Sequence, residues 1–312
     1  MIEKIMRAVK SNNKKRGRNV TIGAVVGILL SCSAVIKADD YLWIKGDSGT
    51  IEFSTDGNST GTGETWEKEN PYNSENSWNG KIYINNMALF GNDNGKVLIN
   101  SYEKTIGYGL RLSGDLGEIE FINNGLIFGA GSVGSFGIYN DGGNIGSIKN
   151  NGTISGNYGD GIYNYSTGLG SKSIIGSLVN GGSVLGDDSG IFNKSENSGS
   201  SIIGSLQNIG MISGDYGIYN SRAISGSSNI ESLVNSGTIY GGYSGISNGS
   251  YGSSSTSTIG ILINTGAIYG SSSAILNGGG TINNAVNYGL LVSKDGSVVQ
   301  NKNDGTANFI KS

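Results

Sequence analysis

IIGSLVNGGSVLG (174–186) followed by GIFN (190–193) is the stretch that decides the fold, because the chain repeats it. The same phrase recurs as NIGSIKNNGTISG (144–156) with GIYN (161–164), and as IIGSLQNIGMISG (202–214) with GIYN (217–220). It returns as NIESLVNSGTIYG (229–241) with GISN (245–248), and as TIGILINTGAIYG (258–270) with AILN (274–277). Worn copies lie before and after these five. The asparagines that anchor the copies are Asn123, Asn150, Asn180, Asn208, Asn235, Asn264 and Asn287, spaced 23 to 30 residues apart. A repeat of that length marks a stacked solenoid in which each unit is buried only by its neighbours.

The rhythm inside one unit sets the class. Leu178, Leu206, Leu233 and Leu262 stand two residues before the anchoring Asn, and Val184, Ile212, Ile239 and Ile268 four after it. Ile162, Ile191, Ile218, Ile246 and Ile275 sit inside the G-I-x-N phrase. Alternation at period two, with β-branched residues between Gly and Asn corners, reads as short half-buried strands. No stretch of the repeats keeps a 3.6-residue period, which disfavours helical arrays and leucine-rich horseshoes. The expected fold is all-β: a parallel β-helix, read as right-handed, of about seven rungs and about 34 Å in length at ~4.8 Å per rung. Each unit is expected to hold three strands of 3–5 residues. Gly and Asn are expected to supply positive φ at the corners, with the Asn side chains bonding rung to rung. The polar inserts at 165–173, 194–201, 221–228 and 249–257 are expected to form loops on one side. Four regions result: a signal segment at 1–38, an irregular N-terminal cap at 39–115, β-helix repeats at 116–301 and a C-terminal tail at 302–312.

Composition narrows the chemistry. The 312 residues include 55 Gly, one Pro, one Cys and no His. Without histidine there is no Ser-His-Asp triad and no histidine metal site. The single cysteine, Cys32, gives no disulfide framework. Residues 1–38 hold eight Lys/Arg and one Asp/Glu of the chain's 21 and 24, which leaves 13 and 23 downstream, a net charge of −10. That acidic surface argues against nucleic acid as a partner. No cofactor is expected, and the chain is read as a non-enzyme.

Three groups of residues are candidate sites. Tyr139, Tyr163, Phe192 and Tyr219 alternate with the buried isoleucines and are expected to point outward in one column. Such a column stiffens a sheet, or serves as a binding stripe of the adaptable kind that Tyr, Ser, Gly and Asn make together. Asp160, Asp187, Asp188 and Asp215 come after the second Gly corner in successive units. Stacked on one ridge about 5–10 Å apart they would suit Ca²⁺ or a carboxylate pair; the commoner role of such residues is to bond their own turn. Trp43, Trp66 and Trp78 in the cap are read as packing residues, with a sugar platform as the alternative. The G-x-G-x-x-G match at 129–134 and the Asn-x-Ser/Thr matches are what this composition produces by chance.

The N-terminus carries an address. A basic run (Lys4, Arg7, Lys10, Lys14, Lys15, Arg16, Arg18) precedes an apolar run from Val20 to Leu30, and small residues then lead to a cleavage point after Ala38. That is the build of a secretory signal; lipidation at Cys32 within Leu29-Leu30-Ser31-Cys32 is the alternative. The segment MIEKIMRAVKSNNKKRGRNVTIGAVVGILLSCSAVIKAD (1–39) resembles the extended N-terminal segment of Gram-negative type V autotransporters. The resemblance implies export and a β-helical passenger displayed at the cell surface, handled by the secretion machinery. It supplies no active-site residues. Autotransporters carry an outer-membrane barrel of ten-residue alternating strands, and no such run is present here. The expectation is a passenger without its own barrel: truncated or split, or served by a separate outer-membrane barrel in the manner of filamentous-haemagglutinin-like adhesins, whose N-terminal secretion motifs are not evident here. The expected function is adhesion to a host or neighbouring cell-surface protein or glycan. The alternatives are a β-helical carbohydrate-active enzyme, an inert remnant in the periplasm, or an outer-membrane lipoprotein.

Overall fold

The computed structural model describes residues 109–129, 135–251 and 256–309, together with the backbone of seven strands between Leu42 and Ile106. The chain forms a parallel β-solenoid of about seven turns, with no helix among the described residues. Three files of strands run along it. The first holds Asn144–Asn150, Lys172–Asn180, Ser200–Asn208, Ser227–Asn235, Thr256–Asn264 and Thr281–Asn287, each in parallel register with the next. The second begins with Thr105–Ile106, Leu126–Gly129, Thr153–Gly156 and Ser183–Leu185. The third holds Ile138–Asp141, Ile162–Thr167 and Ser189–Glu196, and ends at Val299–Lys302. Met211–Ala223 and Thr238–Tyr251 run unbroken from the second file into the third.

The core is a set of columns. The first file sends two apolar side chains inward per rung, as in Ile175 and Leu178, then Ile203 and Leu206, then Ile230 and Leu233. The second file adds one (Val184, Ile212, Ile239, Ile268) and the third another (Ile191, Ile218, Ile246, Ile275). Each is fully buried, a contribution of about 1.5–3 kcal/mol per side chain before conformational entropy is charged against it. The neighbouring positions alternate outward, as strand geometry requires.

The corners differ from the sequence expectation. The anchoring asparagines do not adopt positive φ. Asn123, Asn150, Asn180, Asn208, Asn235 and Asn264 are buried, and each donates its Nδ2 to the Oδ1 of the Asn one rung on, ending at the half-buried Asn287, at 2.7–2.8 Å. A second ladder, built from the Asn of the G-I-x-N phrase, runs from Asn140 through Asn164, Asn193, Asn220, Asn248 and Asn277 to Asn301. Most of these side chains also donate to backbone carbonyls of the next rung, as Asn150 does to Ser183 at 2.9 Å. Buried amides are tolerated because they are satisfied in this way. The glycine two residues after the first-ladder Asn is set by close approach and not by φ. A Cβ on Gly182 or Gly210 would strike the carbonyl oxygen of the equivalent glycine one rung below.

Most of the polar inserts are also strand. Ile162–Thr167 and Lys172–Asn180 leave only 168–171 between them, and Ser189–Glu196 and Ser200–Asn208 leave 197–199. Ser173, Ser201, Ser228 and Ser257 turn inward there, and each hydroxyl donates to a backbone carbonyl across the corner, Ser228 to Ser221 at 2.6 Å. Asn197 and Ser198, Ile224 and Ser225, and Asn303 and Asp304 are pairs with positive φ. They form the two central positions of tight turns of type I′. Strands reach 14 residues, well beyond the expected 3–5.

The domain limits move as well. Leu110–Asn123 spans the expected boundary at 115/116, because its first half lies in the third file and its second half in the first. Val97–Asn100 already pairs with it in parallel, Asn100 opposite Asn123. Leu42–Asp47 likewise pairs in parallel with the first half of Leu110–Asn123; the antiparallel pairings of this region are Leu42–Asp47 with Thr50–Ser54, and the meander from Glu67 to Asn100. At the other end the expected tail holds Thr306–Phe309, which pairs in parallel with Thr281–Asn287.

Candidate functional site

The outer face of the third file carries the most organised side chains. Register places Tyr139 beside Tyr163, Tyr163 beside Phe192, and Phe192 beside Tyr219. The four predicted residues therefore meet, with ring centroids 5.4, 5.3 and 4.7 Å apart along the column. The planes of the last pair are nearly parallel, at 6°. Four rings that the sequence does not single out join them. Phe136 lies 4.7 Å from Tyr163, Tyr165 lies 5.2 Å from Tyr163, and Tyr216 lies 4.6 Å from Tyr219. Tyr243 meets Tyr216 edge to face, at 68°. Tyr165 is legible by period two, since it stands two residues after Tyr163; Tyr216 and Tyr243 sit in a corner whose length varies, which hides their column.

Stacking of this kind has a chemical consequence. Rings facing one another along the rod cover each other's faces, so the column presents ring edges outward. Each such contact adds about 0.5–1.5 kcal/mol beyond the area it buries. Burial raises the Tyr139 and Tyr163 hydroxyls well above the usual tyrosine range, helped by the charges of Asp141 and Asp160 respectively. These phenols stay protonated and can donate.

Charged clamps flank the column. Arg111 pairs with Asp141 and lies 5.2 Å from the Tyr139 ring, and the Tyr139 hydroxyl donates to Asp141 at 3.2 Å. Two rungs on, Lys194 pairs with Glu196 at 2.6 Å and approaches the rings of Tyr165 and Phe192, while the Tyr165 hydroxyl donates to Glu196 at 2.8 Å. Hydrogen bonding from Lys194 holds the Glu196 carboxyl below its ordinary value. Beside this face the tight turns lift apolar residues into solvent: Leu169 is 92% exposed and Ile224 69%. A β-branched residue at positive φ, as Ile224 is, is an uncommon and strained choice. Neither stands out in the sequence, because both sit inside polar inserts.

The four aspartates do not form one ridge. Asp160 is 3% exposed, and its Oδ1 has no hydrogen-bond partner. Burial pushes its carboxyl up to about 7 against the pull of hydrogen bonds from Ser189, and the charge of Asp188 adds to the rise. Asp187 accepts at Oδ2 from the Tyr158 amide at 3.0 Å, and Asp215 stands beside it in the next rung. Asp188 and Asp215 are exposed. Among the described residues no group of three or more Asp, Glu or Cys gathers closely enough to hold a metal ion. Arg222 is fully buried in the serine-lined corner, opposite Ser195, and no guanidinium nitrogen has a hydrogen-bond partner. Burial lowers its pKa from the ordinary arginine value.

Ala38, Cys32, Trp66, Trp78 and the signal segment lie outside the described residues, as does the side chain of Trp43. No protein-family model matches the chain, and no curated protein or solved structure matches it either.

Proposed function

We propose that the protein is an exported, non-enzymatic surface scaffold, a passenger of the autotransporter kind that holds one lateral face toward a protein or glycan on another cell. The observation that carries this reading is the aromatic column, four rungs long from Tyr139 to Tyr219 and flanked by two charged clamps, on one side of the solenoid. Export rests on the basic and apolar segments before Ala38 and on their resemblance to autotransporter leaders. The rod offers a patterned face with short turn tips, in place of the long loops expected from the inserts. Asp160, whose carboxyl burial raises to about 7, is almost wholly enclosed and out of reach of a substrate.

The test has two parts. The full chain with its N-terminal segment intact, in the Gram-negative cell that makes it and any separate barrel that serves it, is expected to label with antibody on unbroken cells. Tyr163→Phe and Tyr219→Phe keep the ring stack and remove two hydroxyls of this face; together they are expected to weaken attachment to target cells, with the melting temperature measured in parallel. Labelling only after the outer membrane is opened would refute display, and undiminished attachment would remove the column from the binding surface.

A further inference from the structure

The aromatic column stops in one place, and a cleft opens beyond it. Past Tyr219 the column continues in register with Ser247, then Leu276, then Gln300. The neighbouring outward column loses bulk at the same level. It runs Asp141, Tyr165, Lys194, Ser221 and then Gly249, and Gly278 stands opposite Lys302 further on. Where both columns shrink, a cleft of about 200 Å³ opens, bounded by Tyr216, Tyr243, Ser247, Leu276, Lys302 and Asn303. Pockets for drug-sized ligands run from about 300 to 1,000 Å³, so this one suits a single ring with its substituents.

The walls differ in chemistry. Tyr216 stacks on Tyr219 and meets Tyr243 at 68°. Whichever of the two offers its edge, at least one face of Tyr243 is left without a ring against it among the described residues; Tyr243 is 43% exposed. This is the point on the aromatic surface where a face, and not only edges, is open to a ligand. The opposite wall ends in Lys302, which is exposed and has no ion pair among the described residues. Asn303 and Asp304 come next in the chain, both at positive φ, 52° and 60°. That tight turn fixes the wall where Lys302 and Asn303 stand. An open ring face, an amide and an ammonium without an ion pair among the described residues would suit a sugar ring bearing a carboxylate: C–H groups would lie on Tyr243, ring hydroxyls would meet Asn303 and the rim at Ser247, and the carboxylate would meet Lys302.

We infer that the cleft between Tyr243, Ser247 and Lys302 is a binding site for one hexuronate residue of an acidic glycan. The inference rests on the surface-display reading for where such a glycan is met, and on the cleft alone for the binding itself.

The test titrates the full chain, by calorimetry, with methyl β-D-glucuronide, with methyl β-D-glucoside, which lacks only the carboxylate, and with acetate. The glucuronide is expected to bind about tenfold or more tightly than either control, the margin one charge-assisted contact gives. Ser247→Tyr continues the aromatic column into the cleft and is expected to abolish binding; Ser247 is 4% exposed, so the melting temperature of this variant is read alongside. Lys302→Gln, at an exposed position, is expected to bring the glucuronide down to the affinity of the glucoside and keeps the test alive if the first variant folds poorly. Equal affinity for glucuronide and glucoside, acetate binding as tightly as the sugar acid, or glucuronide binding indifferent to both substitutions would overturn the assignment. A chain that labels on the cell surface and ignores glucuronide refutes the cleft alone. A chain that binds glucuronide and stays inside the outer membrane refutes display alone.

Discussion

Two kinds of ladder climb the same solenoid, and they differ in how far they go. The amide ladders inside the corners run without a gap through every described rung from Asn123 to Asn287 and from Asn140 to Asn301. The aromatic ladder outside runs from Tyr139 to Tyr219 and then gives way to Ser247. Both repeat because each rung templates the next at about 4.8 Å. Only the inner kind is compulsory, since a missing amide strands buried donors and acceptors, whereas a missing ring on the outside is replaced by water. A break in an inner column therefore measures stability, and a break in an outer column marks a place free to vary.

The largest effect is expected from breaking the inner ladder. Asn208→Leu removes the acceptor for Asn180 and the donor to Asn235. At about 1–3 kcal/mol for each stranded partner the loss is about 2–6 kcal/mol, read from the urea midpoint. A variant as stable as the parent would show that the amides are ornamental. Arg222→Met sharpens the same point with the opposite sign. It replaces an enclosed guanidinium by an apolar chain of similar length, and the melting temperature is expected to rise; thermal unfolding that comes earlier instead would contradict the burial. Asp160 adds a pH signature. Its folded value of about 7 lies above the ordinary 3.8, so the proton it holds stabilises the fold fully below the lower value and ceases to do so as pH rises through the upper one. Asp160→Asn is expected to remove a slope of about 1.4 kcal/mol per pH unit between those limits; urea midpoints across pH ~4 to ~8 check it, and parallel curves for parent and variant would refute it. The smallest effect belongs to the outer ladder. Phe192→Leu keeps the apolar bulk and removes the stacking on Tyr219, with an expected loss of about 0.5–1.5 kcal/mol.

Much of this is legible in the residues. Leu206, Ile212 and Ile218 announce their burial by period two, and the spacing of Asn180, Asn208 and Asn235 announces the rung. The corners are harder, for physical reasons. Ser173, Ser201 and Ser228 look like solvent-facing linker, yet they point inward and bond carbonyls; their fixed place just before the first-file phrase is the available signal. The four aspartates scatter because the corner they occupy changes length. Gly156 to Ile162 is a longer step than Gly186 to Ile191, and Gly214 to Ile218 is shorter again. Each residue gained or lost there flips a side chain from one face to the other. The cleft is hidden for a related reason. It is an absence in two columns at once, seen only when Ser247 and Gly249 are set opposite Tyr219 and Ser221.

The most direct test of in-register stacking is a ruler along one outward column. Lys149, Val179, Gln207, Val234, Ile263 and Val286 stand opposite one another in succession. In a chain with Cys32 replaced by Ser, spin labels are placed at 149 and at 234, 263 or 286 in turn. Electron–electron distances are expected to lengthen by about 4.8 Å for each rung added. Distances that fail to grow with rung number, or that scatter broadly at one pair, would contradict the solenoid and everything built on its outer face.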